Sequence, residues 1–119
     1  MKEELTLFKA LSNQTRLRIM VLLTEKEHCV CQLEWALGLI QAKVSRHLTV
    51  LKNAEIVQDR RDGLWVFYSL TTPRSELEKT IHNYLKDYFP QKYDSFKKDI
   101  AKMKECEAKP LEELCSIRR

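Results

Sequence analysis

Four cysteines stand at Cys29, Cys31, Cys106 and Cys115 of this 119-residue chain. Thiolates are soft ligands that select soft ions. A trivalent arsenic or antimony centre makes three bonds in a pyramid and suits two or three of them. Cys29 and Cys31 are two residues apart, which on a regular helix is a rotation of about 200°. Their sulfurs converge only if at least one of the pair lies outside regular helix. The polar break around Glu25-Lys26-Glu27 supports such a geometry, with Cys29 extended and Cys31 at a helix start, where a helix N-terminus favours the thiolate. The plainer alternative is a pair of small buried hydrophobes. Cys106 and Cys115 are either donors of a third thiolate, from the same or a second chain, or incidental.

A second set of residues suits a polyanion. Gln41, Lys43, Ser45 and Arg46 bring amide, ammonium, hydroxyl and guanidinium groups to the first half of one helical segment. Arg pairs bidentately with guanine and Gln with adenine in the major groove of DNA, which admits one helix. Arg60 and Arg61 precede the Asp62-Gly63 pair, so a hairpin tip there carries guanidinium groups toward a phosphate backbone or a minor groove. The alternative for all of these is a solvated surface. His47 either reads DNA or packs against the helix before its own.

The elements that must position these groups follow from periodicity. Leu5, Phe8 and Leu11 mark a first helix over Lys2 to Leu11, and Ser12 is placed to cap a second running to about Thr24. Val30, Leu33 and Leu37 mark a short third helix from Cys31 to Leu37, stopped by Gly38. Val44, Leu48 and Leu51 line a fourth from Gln41 to about Ala54. Strands Ile56 to Arg61 and Leu64 to Leu70 flank the hairpin turn Asp62-Gly63. Ser75 caps a fifth helix carrying Leu77, Ile81, Tyr84 and Tyr88 before Pro90. Tyr93, Phe96, Ile100 and Met103 mark a last one ending at Pro110. The expected organisation is one domain over residues 1–108 and a fraying tail over 109–119. A short turn between helices three and four, followed by a twisted hairpin, is the layout of a winged helix-turn-helix: mainly α with a β-hairpin wing.

Composition narrows the classes. Charged residues make up 32% and the formal net charge is +4, which permits an acidic partner without demanding one. No apolar run approaches the roughly 20 residues of a membrane span, and Met1-Lys2-Glu3-Glu4 opens no signal-peptide core. The expectation is a cytoplasmic protein with no membrane partner and with cysteines mostly reduced, so metal or redox chemistry is favoured over a disulfide framework. A thiol oxidoreductase is disfavoured by the lack of a βαβ pattern, and no enzyme chemistry is expected.

Several segments also resemble the ArsR/SmtB family of metal-responsive repressors. Phe8-Lys9-Ala10-Leu11-Ser12 with Thr15-Arg16-Leu17-Arg18-Ile19 is similar to its opening helices. His28-Cys29-Val30-Cys31-Gln32-Leu33 resembles its arsenic-sensing segment, Val44-Ser45-Arg46-His47-Leu48 its recognition helix, and Asp62 to Leu70 its wing. The chain departs at Glu34, where the arsenic branch often has a third cysteine, at Gln14 in place of a proline, and at Ile40 in place of a serine. The resemblance implies a homodimer joined by the first helix and the last two. It implies double-stranded operator DNA as partner, touched by Gln41, Ser45 and Arg46, and release by arsenite or antimonite at Cys29 and Cys31. A repressor answering cadmium, lead or zinc, or one sensing oxidants through a disulfide, is the alternative. The Asp/His zinc pattern of some members is absent from the C-terminal region, where His82 stands alone.

Overall fold

The computed structural model describes residues 1–116; the end of the expected tail, residues 117–119, lies outside them. Helices α1 (Lys2–Leu11), α2 (Gln14–Leu23), α3 (Val30–Leu37) and α4 (Gln41–Asn53) precede the hairpin β2 (Val57–Asp62) and β3 (Trp65–Leu70). A two-residue strand, β1 (His28–Cys29), pairs antiparallel with β3 and makes a three-stranded sheet of order β1-β3-β2. Then come α5 (Glu76–Asn83), a π-helical turn over Tyr84–Tyr88, α6 (Phe89–Lys92), α7 (Asp94–Glu107) and α8 (Leu111–Ser116). The fold is a winged helix-turn-helix, as the pattern of helices and turn residues implies.

Helix α2 is the centre of the core. Ile19 to Leu23 are five consecutive buried residues, so this helix is covered on every side. Around it pack Leu33 of α3, Leu48 and Leu51 of α4, and Phe96 and Met103 of α7. Each such side chain contributes about 1.5–3 kcal/mol when fully buried. The helix-turn-helix is set by Gly38, whose φ of 67° lies in the left-handed region that ends α3. Inside the core, Arg18 of α2 donates twice to Asp99 of α7, both bonds 2.8 Å, and once to the Leu37 carbonyl at the end of α3. One guanidinium thus fixes three helices.

Local chemistry moves several boundaries. Asn13, not Ser12, caps α2: its side chain accepts from Arg16 N–H at 3.1 Å, while the Ser12 hydroxyl donates back to Lys9 and closes α1. The hairpin turn is Gly63-Leu64, because Asp62 still pairs with Trp65. Gly63 has a φ of 62°, supplying the positive φ that a two-residue hairpin needs at its first central position. Pro90 does not stop the helix before it. A proline lacks the N–H for the i−4 carbonyl and clashes with it, and the wider π turn, with Phe89 N–H donating to Tyr84 O, accommodates that fault so that helix continues to Lys92. The tail does not fray over residues 111–116. It forms α8, which buries Leu114 and Cys115 against α3.

Asp99 is buried, 3% exposed, and its partner Arg18 is half-buried. Removing one partner strands a charge in the core. Asp99→Ala is expected to lose about 3 kcal/mol of stability, read as a lower urea midpoint with an unchanged slope; a shift under about 0.5 kcal/mol, the size of an ordinary surface change, contradicts this role.

Candidate nucleic-acid interface and thiol site

Helix α4 buries Val44, Leu48 and Leu51 and turns Gln41 and Arg46 to solvent, with Lys43, Ser45 and His47 half-exposed. Its start has no side-chain cap, because Ile40 occupies the N-cap position and is itself exposed. The first-turn N–H groups of such an end are a ready seat for an anion. At the other end, Lys52 Nζ reaches Asp59 of β2 at 2.9 Å and ties α4 to the hairpin.

Two of the expected DNA-contacting residues are engaged within the chain. Arg60 forms a two-point ion pair with Glu27, its Nε donating at 2.8 Å, and its guanidinium lies 4.8 Å from the Phe67 ring centre. The bond to Arg60 holds the Glu27 carboxyl below its usual range. Arg61 alternates to the opposite face of β2 and is exposed. His47 packs against α2 rather than α3: its Nδ1 is 3.3 Å from Arg16 Nη1, and Arg16 also donates to the Lys9 and Ala10 carbonyls at the end of α1. Partial burial, then Arg16, Arg46 and Lys43, hold the His47 imidazole below its ordinary proton affinity.

The cysteines gather at the start of α3. Cys29 is its N-cap, extended at φ −86° and ψ 167°, and its N–H donates to Gln32 Oε1 at 3.1 Å in a capping-box arrangement. Cys31 is one residue inside the helix. The two therefore differ as the Cys-x-Cys spacing requires, one extended and one helical. Cys31 is joined to Cys115 of α8 by a disulfide with a Cα separation of 5.7 Å, within the range such bridges need. Against the expectation of mostly reduced cysteines, two of the four are bridged here, because the burial of α8 brings them within bonding reach. Cys106 of α7 is fully buried, its Sγ 3.9 Å from the Gln32 carbonyl oxygen. Burial, then Cys29 and Glu107 nearby, pushes its thiol up to about 11.

A cavity of about 190 Å³ is lined by Cys29, Cys31 and Cys115 and also by Gln41, the first residue of α4, and by Trp65 and Val66 of the hairpin. Sequence spacing identified Cys29 and Cys31; that Gln41 and the wing share a wall with them is a tertiary fact. With Cys31 bridged, no group of three or more His, Cys, Asp or Glu among the described residues is arranged to hold a metal ion.

The family model for bacterial regulatory proteins of the arsR family matches residues 13–59, from the cap of α2 into β2. The transcriptional repressor BigR from Xylella fastidiosa is 33% identical, with a TM-score of 0.66 over 77% of this chain and 89% of that one. The chain belongs to the arsR family. The arsenic resistance transcriptional regulator ArsR1 of Pseudomonas putida is 50% identical over 74 residues, 59% of this chain and 58% of that one, so the chain matches little more than half of that relative. A homodimeric winged helix-turn-helix DNA-binding domain from Mycobacterium bovis, described as a possible ArsR-family regulator, is 25% identical with a TM-score of 0.63, covering 77% of this chain and 86% of that one. The arsR match takes in Cys29, Cys31 and all of α4, and stops before the wing tip and the helices that carry Cys106 and Cys115.

Acid should loosen this member of the arsR family. His28 is buried, with Nδ1 3.3 Å from Gln32 Oε1, and burial is the main cause that lowers its proton affinity. His47 is lowered as well. The unfolded chain therefore takes up protons first as pH falls, and the stability these groups confer is full above the ordinary value of 6.5 and lost on acidification below it. Tm is expected to fall between about pH 7 and pH 5, less steeply in His28→Asn; equal slopes for parent and variant contradict the assignment.

Proposed function

We propose that this protein is a homodimeric transcriptional repressor that holds double-stranded operator DNA through α4 and the wing and is released by arsenite or antimonite bound to Cys29 and Cys31. The observation that carries the reading is the shared cavity: its sulfur-lined wall continues into Gln41 and the hairpin. An ion that draws the two sulfurs together repositions the first turn of α3. That turn is continuous with the cavity wall formed by α4 and β3. DNA affinity then falls, because a ligand shifts an equilibrium by its differential affinity for the two states.

On the DNA side, Gln41, Lys43, Ser45 and Arg46 face outward on the first turns of α4 and read base edges, with the uncapped helix start at a phosphate. Arg61 is the wing cation open to the backbone. Arg60 supports the wing through Glu27 and Phe67 and joins the contact only if that pair opens. His47 holds α4 on Arg16 and shapes the surface from behind.

The dimer is supported by an apolar face that one chain leaves uncovered. Leu5 and Phe8 of α1 are each 50% exposed and Tyr84 is 55% exposed. Phe8, Leu11, Ile81, Tyr84 and Tyr88 line one apolar groove of about 450 Å³. In a DNA-bound dimer the two recognition helices are expected about 34 Å apart, one turn of duplex. Tyr84→Glu is expected to give a monomer in sedimentation and to lose operator binding with it.

A second reading has a specific observation behind it. The Cys31–Cys115 disulfide suits a repressor that senses oxidants. A cadmium, lead or zinc response requires four donors around a tetrahedral ion, and so would need the disulfide opened and Cys106 recruited from its buried position.

Fluorescence anisotropy of labelled operator separates these readings. Arg46→Ala is expected to weaken binding by about 1–3 kcal/mol with Tm unchanged, and affinity should fall steeply with salt. In reduced protein, Cys29→Ser and Cys31→Ser should bind operator like the parent, since serine is a competent N-cap at 29 and similar in size to cysteine at 31, yet stay bound when arsenite is added. Normal release from both variants contradicts the metalloid site; release of the parent by peroxide but not by arsenite favours the oxidant reading.

A further inference from the structure

Cys29 and Cys31 offer two sulfurs at the cavity by the start of α3, and a trivalent arsenic centre makes three bonds. Resting on the reading above, we propose that Cys115, carried in by the C-terminal helix α8, is the third sulfur of the arsenite site, and that Cys106 is not part of it.

Two independent observations support Cys115. The disulfide shows that its sulfur comes within bonding reach of Cys31, with Cα atoms 5.7 Å apart. The cavity at the start of α3 is lined by Cys29, Cys31 and Cys115 and not by Cys106. Cys106 is fully buried with its sulfur directed at the Gln32 carbonyl, near Cys29 but outside the cavity wall. Cys115, by contrast, lines that cavity from a six-residue helix that also buries Leu114.

The chemistry balances in two steps. A cellular thiol reduces the bridge: two R–SH supply two electrons and two protons, Cys31 and Cys115 become thiols, and R–S–S–R leaves. Arsenite then enters as As(OH)₃. Three thiol protons pass to its three hydroxyl groups, three As–S bonds form, and three waters leave with no change of oxidation state. A site closed by α8 thereby joins the tail of the chain to the wall of the recognition helix, and the disulfide form cannot accept arsenite because Cys31 and Cys115 are already bonded.

Arsenite and phenylarsine oxide test this together, since the first takes three thiols and the second two. The full chain is reduced with a phosphine, which leaves no competing thiol, and titrated with each by calorimetry. Cys115→Ser is expected to weaken arsenite by at least about tenfold, or 1.4 kcal/mol, while phenylarsine oxide still binds like the parent. Cys106→Ser should leave both affinities as they were, and Cys29→Ser should weaken arsenite while Cys31 and Cys115 still hold phenylarsine oxide. Unchanged arsenite binding in Cys115→Ser, or an equal loss in Cys106→Ser, overturns the assignment. Arsenite binding that is unchanged in both Cys29→Ser and Cys31→Ser overturns the Cys29–Cys31 reading beneath it. Circular dichroism of each variant establishes that the helices are intact.

Discussion

The switch from strand to helix at Cys29 governs the sulfur chemistry of this molecule. On a continuous helix, Cys29 and Cys31 would point about 200° apart. Here β1 holds His28 and Cys29 extended against Tyr68 and Phe67 of β3, and Gln32 reaches back to the Cys29 N–H. The chain turns helical one residue later. The same strand pairing that bends the backbone therefore fixes the sulfur site to the wing, and Gly38 at the far end of α3 fixes that helix to α4. The cysteine pair and the turn into α4 lie at the two ends of one eight-residue helix.

The rigid frame around that helix comes from charge as much as from apolar packing. Arg18 bonds Asp99 and the Leu37 carbonyl, so the end of α3 is held by an ion pair that also secures α7. Arg16 plays a similar part at the α1–α2–α4 junction through His47. Glu27 and Arg60 clamp the loop before β1 to β2. These pairs take several of the chain's cations out of consideration for phosphate contact. They leave Lys43, Arg46 and Arg61 as the basic groups of the proposed DNA-binding face. A net charge of +4 overstates that face, and the basic contacts that matter are few.

The helical periodicities, Gly38 as a stop, the two aromatic-rich strands and the two-residue spacing of Cys29 and Cys31 were all legible in the sequence, because each depends on local geometry. What escaped depends on contacts distant along the chain. A two-residue strand at His28–Cys29 has no periodicity to detect; only its partner β3 makes it a strand. Arg60 reads as a free cation until Glu27, 33 residues earlier, is placed beside it. Pro90 looks like a stop because sequence rules assume an α-helix, and a π turn relaxes that rule. The tail looks frayed because its short helix is stabilised by what it buries, Leu114 and Cys115, and not by its own propensity.

The central claim is that events at the sulfurs reach α4 through the shared cavity wall. Hydrogen–deuterium exchange on the reduced full chain, with and without one equivalent of arsenite and no DNA, tests it most directly. The account predicts altered protection at the first turn of α3 together with Gln41 to Ser45 and Leu64 to Val66, while the core segment Ile19 to Leu23 stays as it was. Protection that changes around Cys29 and Cys31 but not at all in α4 or the hairpin would contradict it.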